Sequence, residues 1–430
     1  MTPNRLLLFV FVLLALPGMA QQNLSLTDAI KVALENNYDL QMVRQDQKIA
    51  GIKNNWGTAG RYPYINLSAE SRNNINQNQT DNYTQNQFSA TANVSWTLFD
   101  GFAVKINKQK LDELEQLSKQ NTGIMIEGTI QSVILAYYSV LLEKEKLQVY
   151  NEVMGLSEDR YEKVEMQKDL GSAVTYDVLQ AKNAYLADKS AFLLQEVAYK
   201  NALRDLKYLL AVTDNPTYNL TDKFSALPID YTLSGLSEQM MANNKSLKNQ
   251  YINQNLLENA IALAKSDFSP SLAFAGGVTT SRTGTDFQTR AMSWNNSINF
   301  YGNFTLNFNL FSGGNRKRAL QIAKIDREVG NTELAQMKHD LTNQLANVFE
   351  FYQVRKELLK VAEDNLSTAE LNLQISKEKY ESGAINSFNY RDIQNLYLNA
   401  ALQELQAIYA FIDTHATLLR MTGTIIQQYE

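Results

Sequence analysis

His339 and His415 are the only imidazoles in 430 residues, and the chain has no cysteine. Without thiols there is neither a disulfide nor a thiolate metal site. Two histidines so far apart, in no HExxH-type spacing, make no zinc site, and each reads as an ordinary helix-surface or packing residue. A phosphate-cradling glycine loop and a GxSxG nucleophile turn are both missing. Aspartate and glutamate are plentiful, 45 against 40 lysines and arginines. On helices this charged, acidic pairs are most often solvated faces. The net charge of −5 argues against nucleic acid, which calls for a basic patch. The expectation is no enzyme, no catalytic residue, no cofactor and no metal.

The informative residues are instead those that bend the chain, and they occur twice. Asn36-Asn37 ahead of Leu40 returns as Asn243-Asn244 ahead of Leu247, and Pro63 returns as Pro270. Leu98-Phe99-Asp100-Gly101 returns as Leu310-Phe311-Ser312-Gly313, Gly171 as Gly383, and Asn183-Ala184-Tyr185-Leu186 as Asn395-Leu396-Tyr397-Leu398. The separation between copies changes once, between Pro63 and Leu98. A duplication this long means two structural units. Asp100 or Ser312 can cap a helix N-terminus, and Gly101 and Gly313 let the backbone turn sharply there. Gly171 and Gly383 suit a left-handed turn between antiparallel helices.

The elements that these turns join follow from periodicity. Residues 1–20 read as a secretory signal peptide: Arg5, an apolar run from Leu6 to Leu16, then Pro17 and Gly18-Met19-Ala20. No cysteine follows to carry a lipid. Repeat 1 is then expected at 21–211, a connector at 212–235, repeat 2 at 236–422 and a tail at 423–430. Each repeat reads as helix, strand, polar loop, strand, very long helix, glycine turn, helix. The first helix, 26–57, is capped by Ser25, with Asp28 in its first turn where the dipole favours an acid; its counterpart is 236–266.

Phe88, Ala90, Ala92, Val94, Trp96 and Leu98 alternate with polar residues, as do Phe300, Gly302, Phe304, Leu306, Phe308 and Leu310. Period two marks strands with one oily and one wet face. Strands are expected at 64–71, 88–98, 271–278 and 298–310. The Asn/Gln-rich 72–87 and the Ser/Thr/Gly-rich 279–296 are expected to be exposed loops. Asparagine at successive wet-face positions suits a water-filled lumen.

Proline then disappears, so that 103–169 and 315–381 can each be a single helix of roughly 100 Å. Val133, Val140, Leu147, Met154 and Tyr161 fall seven apart, as do Leu345, Tyr352, Leu359, Leu366, Leu373 and Tyr380. That repeat gives a seam which supercoils against neighbouring helices. The returning helices are 175–211 and 388–421. No apolar run of 18 residues follows the leader, so no transmembrane helix is expected, while a closed β-barrel stays open as a way through a membrane. Four strands cannot close one, since small barrels need about eight, so several copies must share a barrel.

These residues resemble the outer membrane efflux proteins, the TolC-like channels. The likeness runs from Leu26-Thr27-Asp28-Ala29-Ile30 through the corners at Asp100-Gly101 and Ser312-Gly313 to the tips at Gly171 and Tyr380-Glu381-Ser382-Gly383. It implies a mainly α fold with a membrane β part: long antiparallel helices forming a periplasmic α-barrel, topped by a shared β-barrel with four strands per chain. It implies a homotrimer in the outer membrane of a Gram-negative bacterium, in contact with outer-membrane lipid. It also implies docking onto a periplasmic adaptor and an inner-membrane pump, as a passive conduit for small molecules. A duct for type I protein secretion and a structural coiled-coil envelope protein are the alternatives. By the same resemblance, Gly171, Ser172, Tyr380, Gly383 and Ala384 belong to tip turns that meet the adaptor. Asp177, Asn389 and Asp392 fall at a charged pore constriction, and Ile385 stands where some members carry a basic gating residue.

Overall fold

The computed structural model describes residues 22–77, 82–212, 218–287 and 290–429; the expected signal peptide lies outside them. In chain order the elements are β1 (Gln22–Leu24), α1 (Leu26–Asn36), α2 (Tyr38–Lys53), β2 (Tyr64–Gln77), β3 (Asn82–Phe99), α3 (Ala103–Asp169), α4 (Thr175–Leu209), β4 (Tyr218–Leu220), α5 (Leu233–Asn243), α6 (Lys245–Ser266), β5 (Ser271–Phe287), β6 (Arg290–Asn307), α7 (Asn315–Glu381), α8 (Ser387–Met421) and α9 (Ile425–Tyr429). They fall into two compact units, one formed by 1–41, 125–244 and 342–430, the other by 42–124 and 245–341.

The first unit is a helical core closed by a small parallel ladder. Ala29, Ile30 and Ala33 of α1 pack with Ile130, Val133, Ile134 and Tyr137 of α3, and with Ile408, Ile412 and Ala416 of α8. α3 contains an 18-residue stretch with mean hydropathy 1.4, apolar enough by composition to cross a membrane. This corrects the expectation that no such segment exists. In the same helix Val133 and Tyr137 are fully enclosed in the core, and 44 % of the stretch is buried. Val133, Val140, Leu345, Tyr352, Leu359, Leu373 and Tyr380 of the sevenfold series are all buried.

The connector holds structure that composition did not suggest: β4 pairs in parallel with β1, Gln22 opposite Tyr218 through Leu24 opposite Leu220. Tyr137 secures this ladder, its single hydroxyl hydrogen shared between the Leu24 carbonyl (2.8 Å) and the Asp222 carboxylate (2.6 Å), while Asp222 accepts from the Leu26 amide (2.8 Å).

The leading helices are each broken in two, at Asn37 and at Asn244, where ψ swings to 127° and 118°. Asn37 donates its side-chain amide to the Leu209 carbonyl (3.2 Å) and receives the Leu40 amide (3.2 Å). Asn244 donates likewise to the Met421 carbonyl (2.9 Å). The duplicated asparagines thus stop one helix and tie it to the C-terminal turn of a returning helix, whose last carbonyls lack intrahelical donors.

The second unit is built on a four-stranded antiparallel sheet in the order β2-β3-β5-β6. The strands outrun their expected ends. Arg72 to Gln77 pairs residue by residue with Gln87 to Asn82, and Ser281 to Phe287 pairs with β6, so the two polar segments are hairpin arms and not loops. Low hydrophobicity misleads here because cross-strand side-chain contacts can hold a polar ribbon. Tyr83 stacks near Phe287 with centroids 5.3 Å apart, and Arg282 lies 4.5 Å over the Trp294 ring. β6 also ends at Asn307, short of the expected 310.

Candidate functional site

Register places the two faces of the sheet. Ile65, Leu67 and Ala69 of β2 lie opposite Val94, Ala92 and Ala90 of β3. Ala92, Val94 and Trp96 lie opposite Val278, Gly276 and Phe274 of β5, and these opposite Phe300, Gly302 and Phe304 of β6. Partners across a ladder share a face, so one side is apolar over all four strands. Much of it is bare: Leu67 is 79 % exposed and Phe300 77 %. The opposite side carries Asn66, Ser68, Thr91, Asn93, Asn299, Asn303 and Thr305, with hydroxyl pairs at Thr91–Thr279 (3.1 Å) and Ser281–Ser297 (2.7 Å). A bare apolar face and a hydroxyl- and amide-lined reverse are what a lipid-facing wall around water requires.

The strand-to-helix corners diverge in detail. Asp100 receives the Val104 amide (3.0 Å) and so caps α3. In both corners a main-chain carbonyl also receives the amide three residues on, Asp100 from Ala103 (3.4 Å) and Ser312 from Asn315 (3.1 Å). Gly101 has φ +67° and sits so tightly that a Cβ would come within 2.5 Å of the Ser266 carbonyl oxygen, whereas Gly313, φ +61°, faces open space.

At the tips, Gly171 and Gly383 both have φ +77° with nothing near a notional Cβ. The Ser172 amide returns to the Gln167 carbonyl (2.8 Å) and the Ala384 amide to the Lys379 carbonyl (2.8 Å), closing the ends of α3 and α7 in the same way. Gly171, Ser172, Gly383 and Ala384 are exposed. Tyr380, expected at the same surface, is instead buried, its ring stacked on Tyr390 at 4.8 Å with the Lys163 ammonium 4.3 Å over it. Burial pushes its hydroxyl pKa up.

The two tip hairpins are neighbours, since Tyr176 and Phe388 approach to 6.4 Å between ring centroids. That brings together the stretches carrying Asp177, Asn389 and Asp392. Asp177 reaches back to the Val174 amide (3.4 Å), serving its own helix start, while Asn389 gives its amide to the Asn386 cap (2.9 Å). Asp392 is exposed. Ile385 packs against the cluster of Val153, Leu373, Tyr380 and Tyr390, an apolar plug at that position.

An ion pair not anticipated from sequence lies beside them. Arg391 of α8 grips Asp188 of α4 with both ends of its fork, at 2.6 and 2.7 Å. Arg160 of α3, 4 % exposed, donates to the Ser387 carbonyl (3.1 Å), and fully enclosed Gln394 donates to the Leu156 carbonyl (3.2 Å). Asp188 did carry a signal: it extends the 178, 181, 185 stripe of α4, and an acid on an apolar seam needs a partner.

A family profile described as outer membrane efflux protein matches residues 29–212 and 236–424, most of the chain and both repeats. The chain belongs to this family. The cation efflux system protein CusC of Escherichia coli O157:H7 is 22 % identical over 366 residues, 85 % of this chain and 78 % of its own. A crystal structure of CusC superposes with a TM-score of 0.75 at 18 % identity, covering 93 % of this chain and 92 % of that one. The outer membrane channel CmeC of Campylobacter jejuni superposes at 0.73 and 17 % identity, over 93 % and 85 %. The fold is therefore TolC-like, and the protein is an outer-membrane efflux channel component of a family of channels.

Proposed function

We propose that three copies of this efflux protein close a 12-stranded barrel and act as the passive outer-membrane conduit of a tripartite system. A periplasmic adaptor and an inner-membrane pump deliver small molecules to it, and the chain catalyses no reaction of its own. The observation that carries this reading is the sheet, whose outer strands β2 and β6 lack a partner on their far edges among the described residues. Open edges are not tolerated in lipid, and β6 of one copy can complete β2 of the next. A further support is the exposed series Phe351, Val354, Leu358 and Val361 on α7, spaced for a neighbouring helix. Asp177 and Asp392, repeated in each copy, would set rings of negative charge at the constriction, with Asn389 neutral between them. Gly171, Ser172, Gly383 and Ala384 form the surface offered to the adaptor.

The test is twofold. Purified protein in planar bilayers should give discrete cation-preferring conductances at a trimeric mass; a non-conducting monomer would end the proposal. Because the chain lacks cysteine, Ser172→Cys or Ala384→Cys supplies a single thiol for cross-linking to a co-expressed adaptor, with Ser281→Cys in the sheet as the unreactive control.

A further inference from the structure

A cavity of about 130 Å³ lies behind the tip turns, lined by Arg160, Lys163, Lys377, Tyr380, Asp159 and Glu381 among others. Its deepest cation is unusual in one respect. Arg160 is 4 % exposed and spends Nη1 on the Ser387 carbonyl, while its Nε and Nη2 have no hydrogen-bond partner. Those two nitrogens form one edge of the guanidinium, the fork whose parallel N–H bonds match a pair of oxygens on one anion. Buried N–H groups left unmade are costly, and more so on a charged group.

The surroundings do not neutralise that charge. Arg160, Lys163 and Lys377 enter none of the ion pairs found among the described residues, and the Arg391 fork is already taken by Asp188. Lys163 is engaged by the Tyr380 carbonyl (3.0 Å), a neutral acceptor, and by the Tyr380 ring. Three cations against Asp159 and Glu381 leave the cavity net positive. Burial, and the Arg391 charge after it, act against the guanidinium's own protonation, a strain that a bound anion would relieve.

We propose that this cavity is a binding site for a small inorganic oxyanion of the phosphate type, held side-on by Nε and Nη2 of Arg160 with Lys377 and Lys163 closing over it. The site sits between α3 and α7 immediately behind the turn that joins α7 to α8, so an anion there ties α3 to the base of that turn. It makes the tip responsive to periplasmic phosphate, independently of what the conduit carries.

The experiment is a thermal-denaturation series on the full chain in detergent, titrated with inorganic phosphate and, at matched ionic strength, with chloride. Phosphate should raise the midpoint saturably and chloride should not, since a ligand specific to the native state stabilises it by mass action. Arg160→Lys keeps the charge but lacks the fork and should weaken the apparent phosphate affinity by about tenfold or more. Lys377→Gln, at an exposed position that leaves folding intact, should weaken it several-fold. Equal stabilisation by chloride and phosphate would overturn the proposal, as would an undiminished phosphate response in Arg160→Lys or in Lys377→Gln. Should Arg160→Lys fail to fold, the Lys377→Gln titration decides alone.

Discussion

Replacing Asp188 by Asn should release α4 from α8 behind the tip hairpins, and the size of the effect can be worked from the site. The Asp188–Arg391 pair is bidentate at 2.6 and 2.7 Å, with 9 % and 18 % of the two side chains exposed. Removing one partner of a fully buried pair costs about 3–5 kcal/mol, because the other is left charged without compensation. Residual solvent contact lowers that figure, while the nearby Arg160 charge, which already acts against Arg391, raises it once the carboxylate is gone. We place Asp188→Asn and Arg391→Met each at about 2–3 kcal/mol. The double variant removes both charges of the pair and should cost roughly 1 kcal/mol, a coupling of about 3–5 kcal/mol or more than roughly a hundredfold in a local opening equilibrium. Hydrogen exchange read by mass spectrometry on peptides from α4 and α8 measures that opening directly. Each single variant should lose protection by about thirtyfold or more there, and the double should recover to within about tenfold of the parent. If the double is as unprotected as the two singles added together, the pair is not coupled and the reasoning fails.

Three further outcomes are expected. Gly101→Ala should destabilise by about 2–4 kcal/mol, combining a left-handed alanine with a Cβ 2.5 Å from the Ser266 carbonyl, while Gly313→Ala, in open space, should cost only about 1 kcal/mol; equal losses of folded protein on heating would contradict this. Asp392→Ala should weaken block of single-channel current by divalent cations, whereas Asp177→Ala should in addition loosen the start of α4 through the lost Val174 contact, seen as faster exchange of the first-turn amides. His415, half-buried against Tyr231, Tyr352 and Phe411, has its pKa lowered by burial. The unfolded chain therefore takes up the proton first, so stability is full above the ordinary value of 6.5 and falls as pH drops through it toward the lower folded value. His415→Gln should flatten the fall in stability below pH 6.5; an unchanged slope would show that another group sets it.

The fold was legible wherever a residue type has few alternatives. Prolines at 63 and 270 with none in the helical stretches, glycines at 171 and 383, and uninterrupted sevenfold spacing mark out the two 67-residue helices, which run Ala103–Asp169 and Asn315–Glu381. Period two located the strands but not their ends, because Arg72–Gln77 and Ser281–Phe287 are held by cross-strand pairing, which composition does not register. The breaks at Asn37 and Asn244 were marked as duplicated residues without a role, since the role depends on carbonyls at Leu209 and Met421 far along the chain. Near the tips the resemblance drew attention to Asp177 and Asn389, on the first turns of their helices, and to Asp392, in the second turn of α8. The residues with the strongest electrostatic demand, Arg160, Asp188 and Arg391, come from three different helices, and their meeting is a property of packing.

That contrast bears on how a duplicated channel subunit diverges. The two copies keep the same turns, yet hold them by different chemistry. Both corners share a main-chain turn bond; the first adds the Asp100 carboxylate and has a glycine with no room for a side chain, while the second has a glycine with room to spare. The first tip starts its returning helix with Asp177 reaching back, the second with Asn386 as a side-chain cap. Backbone geometry is common because both copies must deliver two strands and a helical hairpin. Side-chain chemistry is free to differ because each copy meets its own neighbours, and in the second copy it yields an apolar Ile385 beside a paired Arg391. A basic residue at 385 would press its charge against the Val153, Leu373 and Tyr390 cluster, whereas the cation at 391 lies where Asp188 can receive it.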